Sequence, residues 1–162
     1  NNDLITDVPP VSKFGCAPPV TDSDWYTQDN IAPLLDGYDV IDYPITTKDS
    51  LVQRYFNQGM ALAYAFNHAE AARSFYYATR LDPDCAMAFW GYAYVLGPNY
   101  NAGMEDDNYQ RAYDAVQTAV ELSNKNCTPK EKSINYLTTS SKGGRNFFAR
   151  QFSTSIIYDS NS

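Results

Sequence analysis

Apolar side chains recur every three or four positions from residue 51 to about residue 122, which is the period of α-helices that bury one face. The stretch over residues 84–96 is apolar nearly all round, which predicts a helix buried on more than one side. Residues that start or stop helices stand between these stretches. The predicted helices cover about residues 47–67, 67–81, 84–96, 106–123 and 129–141.

Local signals mark the predicted helix ends. The N-cap signals are residues 47–50, Asn67 with Glu70, and Thr128 with Glu131. Asp82-Pro83 predicts the end of the second helix and the start of the third, with the proline in the first turn. Gly143-Gly144 predicts the end of the last helix.

Residues 1–46 contain six prolines, so no long helix is predicted there, only a short one near residues 24–35. Apolar side chains such as Trp25 and Tyr38 predict that this acidic arm packs, either against its own helices or against a neighbouring molecule. Residues 143–162 form a tail in which a short helix and a strand over residues 154–158 are both compatible with the composition.

The helical pairs repeat, and the repeat resembles the tetratricopeptide (TPR) pattern, W-x2-L-G-x2-Y followed by alanine, phenylalanine and proline. The matching residues are Tyr55, Gly59, Leu62, Ala71, Phe75, Ala78 and Pro83. We expect small Gly59 and Ala71 to let the two helices approach, and Phe75 to fill the space against the next helix. A second, looser pair carries a seven-residue insertion in its turn, and Thr128 begins a third.

Residues 46–122 also resemble a set of TPR proteins, many of them bacterial and uncharacterised. The run that carries this resemblance is Asp82-Pro83-Asp84-Cys85-Ala86-Met87, followed by Trp90-Gly91 and Gly97-Pro98-Asn99. The resemblance implies a helical-hairpin scaffold with no known chemistry of its own. We therefore expect an all-α, TPR-like array of about two and a half repeats over residues 47–142, between the arm (1–46) and the tail (143–162).

The charge distribution argues against one class of partner and favours another. With 12 basic and 19 acidic residues, the chain has a net charge of −7 and lacks the basic surface of a nucleic-acid-binding protein. Residues 1–50 hold nine acids and two bases, whereas residues 126–162 hold two acids and five bases. An acidic front and a basic back favour head-to-tail association of copies.

The three cysteines, Cys16, Cys85 and Cys127, are an odd number, so at least one thiol is unpaired within the chain. A Cys85–Cys127 bond would join adjacent repeats, a Cys16–Cys85 bond would hold the arm, and free thiols are the third alternative. Asn126-Cys127-Thr128 is an N-glycosylation sequon at Asn126. With a first residue other than Met, it predicts an extracellular or secretory-route protein, the cytoplasm being the alternative.

No catalytic site, metal ion or cofactor is expected. His68 is the single histidine and stands at a predicted helix start, and no motif of a hydrolase, zinc peptidase or phosphate-binding loop is present. The acidic residues between Asn99 and Asp107 are interpreted as loop and capping residues. No apolar run has the length of a membrane span.

The best functional feature is an aromatic groove. The first helices of TPR pairs line a concave surface, and the residues that helical phase places on it here are Gln53, Phe56, Met60, Tyr64, Met87, Trp90 and Tyr94. Such a surface suits an extended apolar or proline-rich segment, from a partner protein, another copy or the chain's own arm. We expect a non-enzymatic interaction scaffold, or alternatively a self-assembling structural subunit of an extracellular, filamentous assembly.

Overall fold

The computed structural model describes residues 23–38, 40–97 and 106–133, and this part of the chain is helical or irregular, with no strand. Its helices are α1 (Ser23–Thr27), α2 (Ser50–Tyr64), α3 (His68–Leu81), α4 (Ala86–Leu96) and α5 (Asp106–Asn126). Residues 129–133 begin a further helix. The predicted all-α class is therefore confirmed for these residues. Residues 1–22, the loop at 98–105, the rest of the last predicted helix and the tail lie outside the described part.

The helices pack largely in chain order. α3 lies against both α2 and α4, α2 also touches α4, and α5 packs on α4. The ring of Phe75, which is fully buried, lies where two glycines leave space. A Cβ on Gly59 of α2 would stand 2.7 Å from Cζ of Phe75, and a Cβ on Gly91 of α4 would also clash with this ring. The packing expected of Gly59 and Phe75 is thus observed.

α4 is buried on all sides, as its composition predicts, because nine of its eleven residues are buried. α5 is instead amphipathic. It turns Ala112, Ala115 and Ala119 toward the core and leaves Tyr109 and Tyr113 about half exposed. The core therefore centres on α4, with the other long helices around it.

All three expected N-caps form, but one of the two expected capping boxes is incomplete. Asp49 caps α2 by accepting the N–H of Leu51 at 2.8 Å. Asn67 caps α3 by accepting the N–H of Glu70 at 3.4 Å, but the carboxylate of Glu70 pairs with Arg73 and does not complete a capping box.

The box formed by Thr128 and Glu131 is complete. The N–H of Glu131 donates to Oγ1 of Thr128 at 3.3 Å, and the N–H of Thr128 donates to Oε2 of Glu131 at 2.8 Å.

Three predicted helix boundaries are wrong, each for a local reason. α4 begins after Cys85 and not at residue 84, because Asp82 closes a turn by accepting the N–H of Asp84 on its side chain and that of Cys85 on its carbonyl. α1 ends at Thr27, since the backbone of residues 32–35 bonds to side chains of α2 instead.

α2 ends at Tyr64, three residues earlier than predicted, in a Schellman-type turn. The N–H of Asn67 donates to the carbonyl of Leu62 at 2.9 Å, and Phe66 adopts a left-handed backbone with φ of 60°. A residue with a side chain is disfavoured in this region, and glycine is the usual choice.

Candidate functional site

Residues 41–46, called the strap below, are irregular backbone held against α2. Gln53 binds the main chain of the strap twice. The N–H of Ile45 donates to Oε1 of Gln53 at 2.9 Å, and Nε2 of Gln53 donates to the carbonyl of Tyr43 at 2.8 Å. A parallel β-ladder makes the same pair of bonds, to the carbonyl of one residue and the N–H two residues on. Gln53 therefore recognises backbone, whatever side chains the strap carries.

Asn57, one helical turn further along α2, fixes the orientation of this amide. Its Oδ1 accepts from Nε2 of Gln53 at 2.9 Å and from the N–H of Tyr43 at 3.4 Å. Because Nε2 of Gln53 is thereby committed to two acceptors, Oε1 is left to receive the N–H of Ile45.

The side chain of Tyr43 lies between an aromatic ring and a cation. Its centroid stands 6.2 Å from that of Phe56 and 4.9 Å from Nζ of Lys130. Its hydroxyl is buried and finds no hydrogen-bond partner among the described residues. The contacts at residue 43 are therefore with the aromatic ring, and none of them involves the phenol oxygen.

The other end of the strap is held by a buried carboxylate. Glu131 is 3% exposed and accepts from Thr46 twice, from the N–H at 2.7 Å and from the hydroxyl at 2.6 Å. It also accepts the N–H and hydroxyl of Thr128, at 2.8 and 2.7 Å. Burial alone would raise the pKa of Glu131, but these four hydrogen bonds outweigh it and hold the pKa below its usual value.

Below, the strap groove means Gln53, Phe56, Asn57, Lys130 and Glu131, the residues that contact the strap from α2 and from the helix starting at residue 129. Two elements that are distant in sequence thus meet on one short extended segment. The contact between Thr46 and Glu131 spans 85 residues.

A second segment of the arm binds α2 by the same pair of hydrogen bonds. The N–H of Leu35 donates to Oε1 of Gln58 at 2.7 Å, and Nε2 of Gln58 donates to the carbonyl of Pro33 at 2.9 Å. Tyr55 adds a hydroxyl bond of 2.7 Å to the carbonyl of Ala32. Gln58 is only 3% exposed, so this contact is part of the core and not of an accessible groove.

The first described part of the arm packs through aromatic rings. The ring of Tyr26 lies 5.1 Å from that of Tyr76 and 5.8 Å from that of Tyr92, and the guanidinium of Arg111 stands 4.5 Å from its centroid. Burial, in the first place, raises the pKa of Tyr92 well above its usual value. Among the alternatives for the arm, its described residues at 24–38 and 40–46 therefore pack on the chain's own helices.

The predicted groove residues divide into two groups. Gln53 and Phe56 contact the strap, as shown above. Phe56 and Met87 have at most 1% of their surface exposed, and Met60 has 5%. These three side chains point into the core in this conformation, so they offer almost no surface to a separate ligand.

The remaining three predicted groove residues form an aromatic group. The rings of Trp90 and Tyr94 are stacked, with centroids 5.2 Å apart and planes at 12°. Trp90 is 4% exposed and Tyr94 is half-buried, whereas Tyr64 is 46% exposed. Burial, with a contribution from Tyr64, raises the pKa of Tyr94 to about 12. Accessible surface in this group is thus mainly that of Tyr64.

The cysteines of the described part carry free thiols. Cys85 is buried and Cys127 is half-buried, and the expected bond between them is not formed. Burial raises the pKa of Cys85 to about 12 and also raises that of Cys127, so both are poor nucleophiles near neutral pH. Cys16 lies outside the described residues. Asn126, the predicted glycosylation site, is the last residue of α5.

His68 is a buried helix-start residue, 4% exposed. Neither ring nitrogen has a hydrogen-bond partner among the described residues, and burial lowers the pKa of the imidazole.

Among the described residues, no group of three or more potential ligands stands close enough to hold a metal ion. No described helix is both long and apolar enough to cross a membrane.

Sequence reasoning missed four residues of these contacts, which are Asn57, Gln58, Lys130 and Glu131. Gln58 occupies the position that the TPR pattern gives to leucine, and a glutamine in an apolar stripe is a signal for a buried polar contact. Glu131 was expected only as a capping residue, and Asn57 carried no signal.

Comparisons of the chain with models of protein families, with curated proteins and with solved structures find no match. The contacts of the strap are therefore the basis on which a function is proposed.

Proposed function

We propose that this protein is a non-enzymatic interaction scaffold, built of TPR-like helical hairpins, that binds an extended segment of a partner protein in the strap groove. The observation that carries the proposal is the paired contact of Gln53 with Tyr43 and Ile45, because it recognises backbone and accepts another sequence in the same path. The strap is then an internal competitor, present at an effective concentration of about millimolar.

The test displaces the strap without changing the groove. In full-length Ile45→Asp, a charge replaces a half-buried side chain beside Gln53, so the strap docks poorly while every groove residue is kept. A fluorescent peptide with the sequence of residues 40–48 should bind this variant, and bind the wild-type chain far more weakly. The matched control is Ile45→Asp with Gln53→Ala, which should lose most of the binding. A helical Ile45→Asp chain that binds no peptide would refute the proposal.

Self-assembly is the second candidate function, and the same contact favours it. The strap is already complementary to the groove, so the strap of one copy can dock in the groove of another by segment exchange. Sedimentation of the wild-type chain over a wide concentration range would then detect oligomers that Gln53→Ala weakens. A chain that stays monomeric throughout would exclude this candidate.

A further inference from the structure

We infer that the strap groove selects segments by a pattern of four successive residues. The first is aromatic, the second is unrestricted, the third is aliphatic and the fourth is serine or threonine. Glu131 provides the selectivity at the fourth position. The inference rests on the proposed function and adds the sequence preference of the same site. Its basis is the way in which the four strap residues 43–46 meet the groove.

Glu131 sets the last position. Its carboxylate is almost fully buried, and two of its four hydrogen-bond donors come from the N–H and hydroxyl of Thr46. A segment without a hydroxyl at this last position loses one charge-assisted hydrogen bond to the buried carboxylate. This loss costs more than the loss of a hydrogen bond between uncharged groups. A segment with a carboxylate here brings a second negative charge against the first. Serine and threonine are therefore favoured, and acidic residues are excluded.

Phe56 and Lys130 set the first position. The ring centroid of Tyr43 lies 6.2 Å from that of Phe56, and Nζ of Lys130 stands 4.9 Å from the ring centroid of Tyr43. Because the buried hydroxyl of Tyr43 has no partner among the described residues, phenylalanine should fit this position as well as tyrosine or better.

The two middle positions differ in what they require. No N–H is needed at residue 44, since Gln53 binds only the carbonyl of residue 43 and the N–H of residue 45, and Pro44, which has no N–H, is exposed. Proline here also biases Tyr43 toward extended backbone, which prepares the segment for binding. Ile45 is half-buried and packs against the core, so an aliphatic side chain is favoured.

The experiment titrates full-length Ile45→Asp with fluorescent peptides of residues 40–48. The peptides are the wild-type sequence and its Thr46→Ser, Thr46→Val, Thr46→Asp and Tyr43→Phe versions. We expect the serine peptide to bind within about threefold of wild type, and the valine peptide about tenfold more weakly, which is about one charge-assisted hydrogen bond. The aspartate peptide should not bind detectably, and the phenylalanine peptide should bind at least as tightly as wild type.

A charge change in the groove provides the matched control. On Ile45→Asp with Glu131→Gln, the aspartate peptide should gain affinity relative to wild-type peptide, because the repelling charge is removed. If Ile45→Asp fails to fold by circular dichroism, Ile45→Ala replaces it, since it weakens the strap without adding a charge. Equal binding of all five peptides would overturn the sequence preference and leave the proposed function intact. Binding of none to a folded, opened chain would overturn both.

Discussion

Gln53 and Gln58, five residues apart on α2, bind two different stretches of the arm with the same pair of main-chain hydrogen bonds. Five residues correspond to about 140° around a helix, so the two amides leave α2 on different sides. The helix is thus held between two irregular segments of its own chain. One contact is buried, and the other lies at a groove that is partly accessible.

The two glutamines should differ in their contribution to stability. Gln58→Leu restores the leucine of the repeat pattern but leaves the N–H of Leu35 and the carbonyl of Pro33 without partners in a largely buried site. We expect the free energy of unfolding to fall by about 1–3 kcal/mol. Gln53→Leu, at a half-buried site, should lower it by less. Urea unfolding measures both, and a Gln58→Leu chain more stable than wild type would contradict the role given to this contact.

Glu131 should make stability depend on pH in the acid range. Its folded-state pKa lies below the usual value of about 4.3, so the stabilisation is complete above about pH 5 and is lost as the pH falls through the folded-state pKa. The difference in unfolding free energy between wild type and Glu131→Gln should be constant from pH 5 to 7 and shrink below about pH 4. Urea unfolding at several pH values tests this, and a difference independent of pH would count against a buried, ionised Glu131.

His68 should show a depressed pKa that is simple to observe, since it is the single histidine. Burial lowers its folded-state pKa below about 6.5, so stability is complete above that value and declines as the pH falls toward the folded-state pKa. The imidazole Cε1–H resonance should titrate below pH 6.5 in the folded chain. His68→Leu should remove this part of the pH dependence of unfolding, and a titration midpoint at or above 6.5 would show that the ring is hydrated or paired.

Gly91→Ala should destabilise the fold although alanine is the better helix former. The helix propensity gain is at most about 1 kcal/mol, whereas forcing a methyl group against the buried ring of Phe75 costs about 1–3 kcal/mol. A net loss measured by thermal or urea unfolding is expected. Combination with Phe75→Leu should recover part of it, because the smaller side chain leaves room. Full additivity of the two changes would argue against the contact.

The long helices could be predicted from local rules. Periodic apolar residues fixed α2, α3 and α5 to within a few residues, since burial of one helix face leaves a trace at every third or fourth position. Capping by Asp49 and Thr128 could also be predicted, because the capping side chain and the N–H that it accepts are two or three residues apart. Even the fit of Phe75 to Gly59 could be expected from the repeat pattern.

The course of the arm could not be predicted in the same way. Main-chain atoms of the strap bond to Gln53 and Glu131, and such contacts impose no periodicity on the sequence of the strap. Helical phase predicts the groove residues, but it gives only the direction of a side chain and not what covers it. Phe56 and Met87 were therefore placed on the correct helices and yet lie in the core.

Amide hydrogen exchange of the full-length chain, followed by NMR, tests most directly whether Gln53 holds the strap. In the wild type, the N–H groups of Ile45 and Leu35 should both be protected, although neither lies in a helix. Gln53→Ala should remove the protection of Ile45 and keep that of Leu35, and Gln58→Ala should do the reverse. Protection of Ile45 that survives Gln53→Ala would contradict the account of the strap.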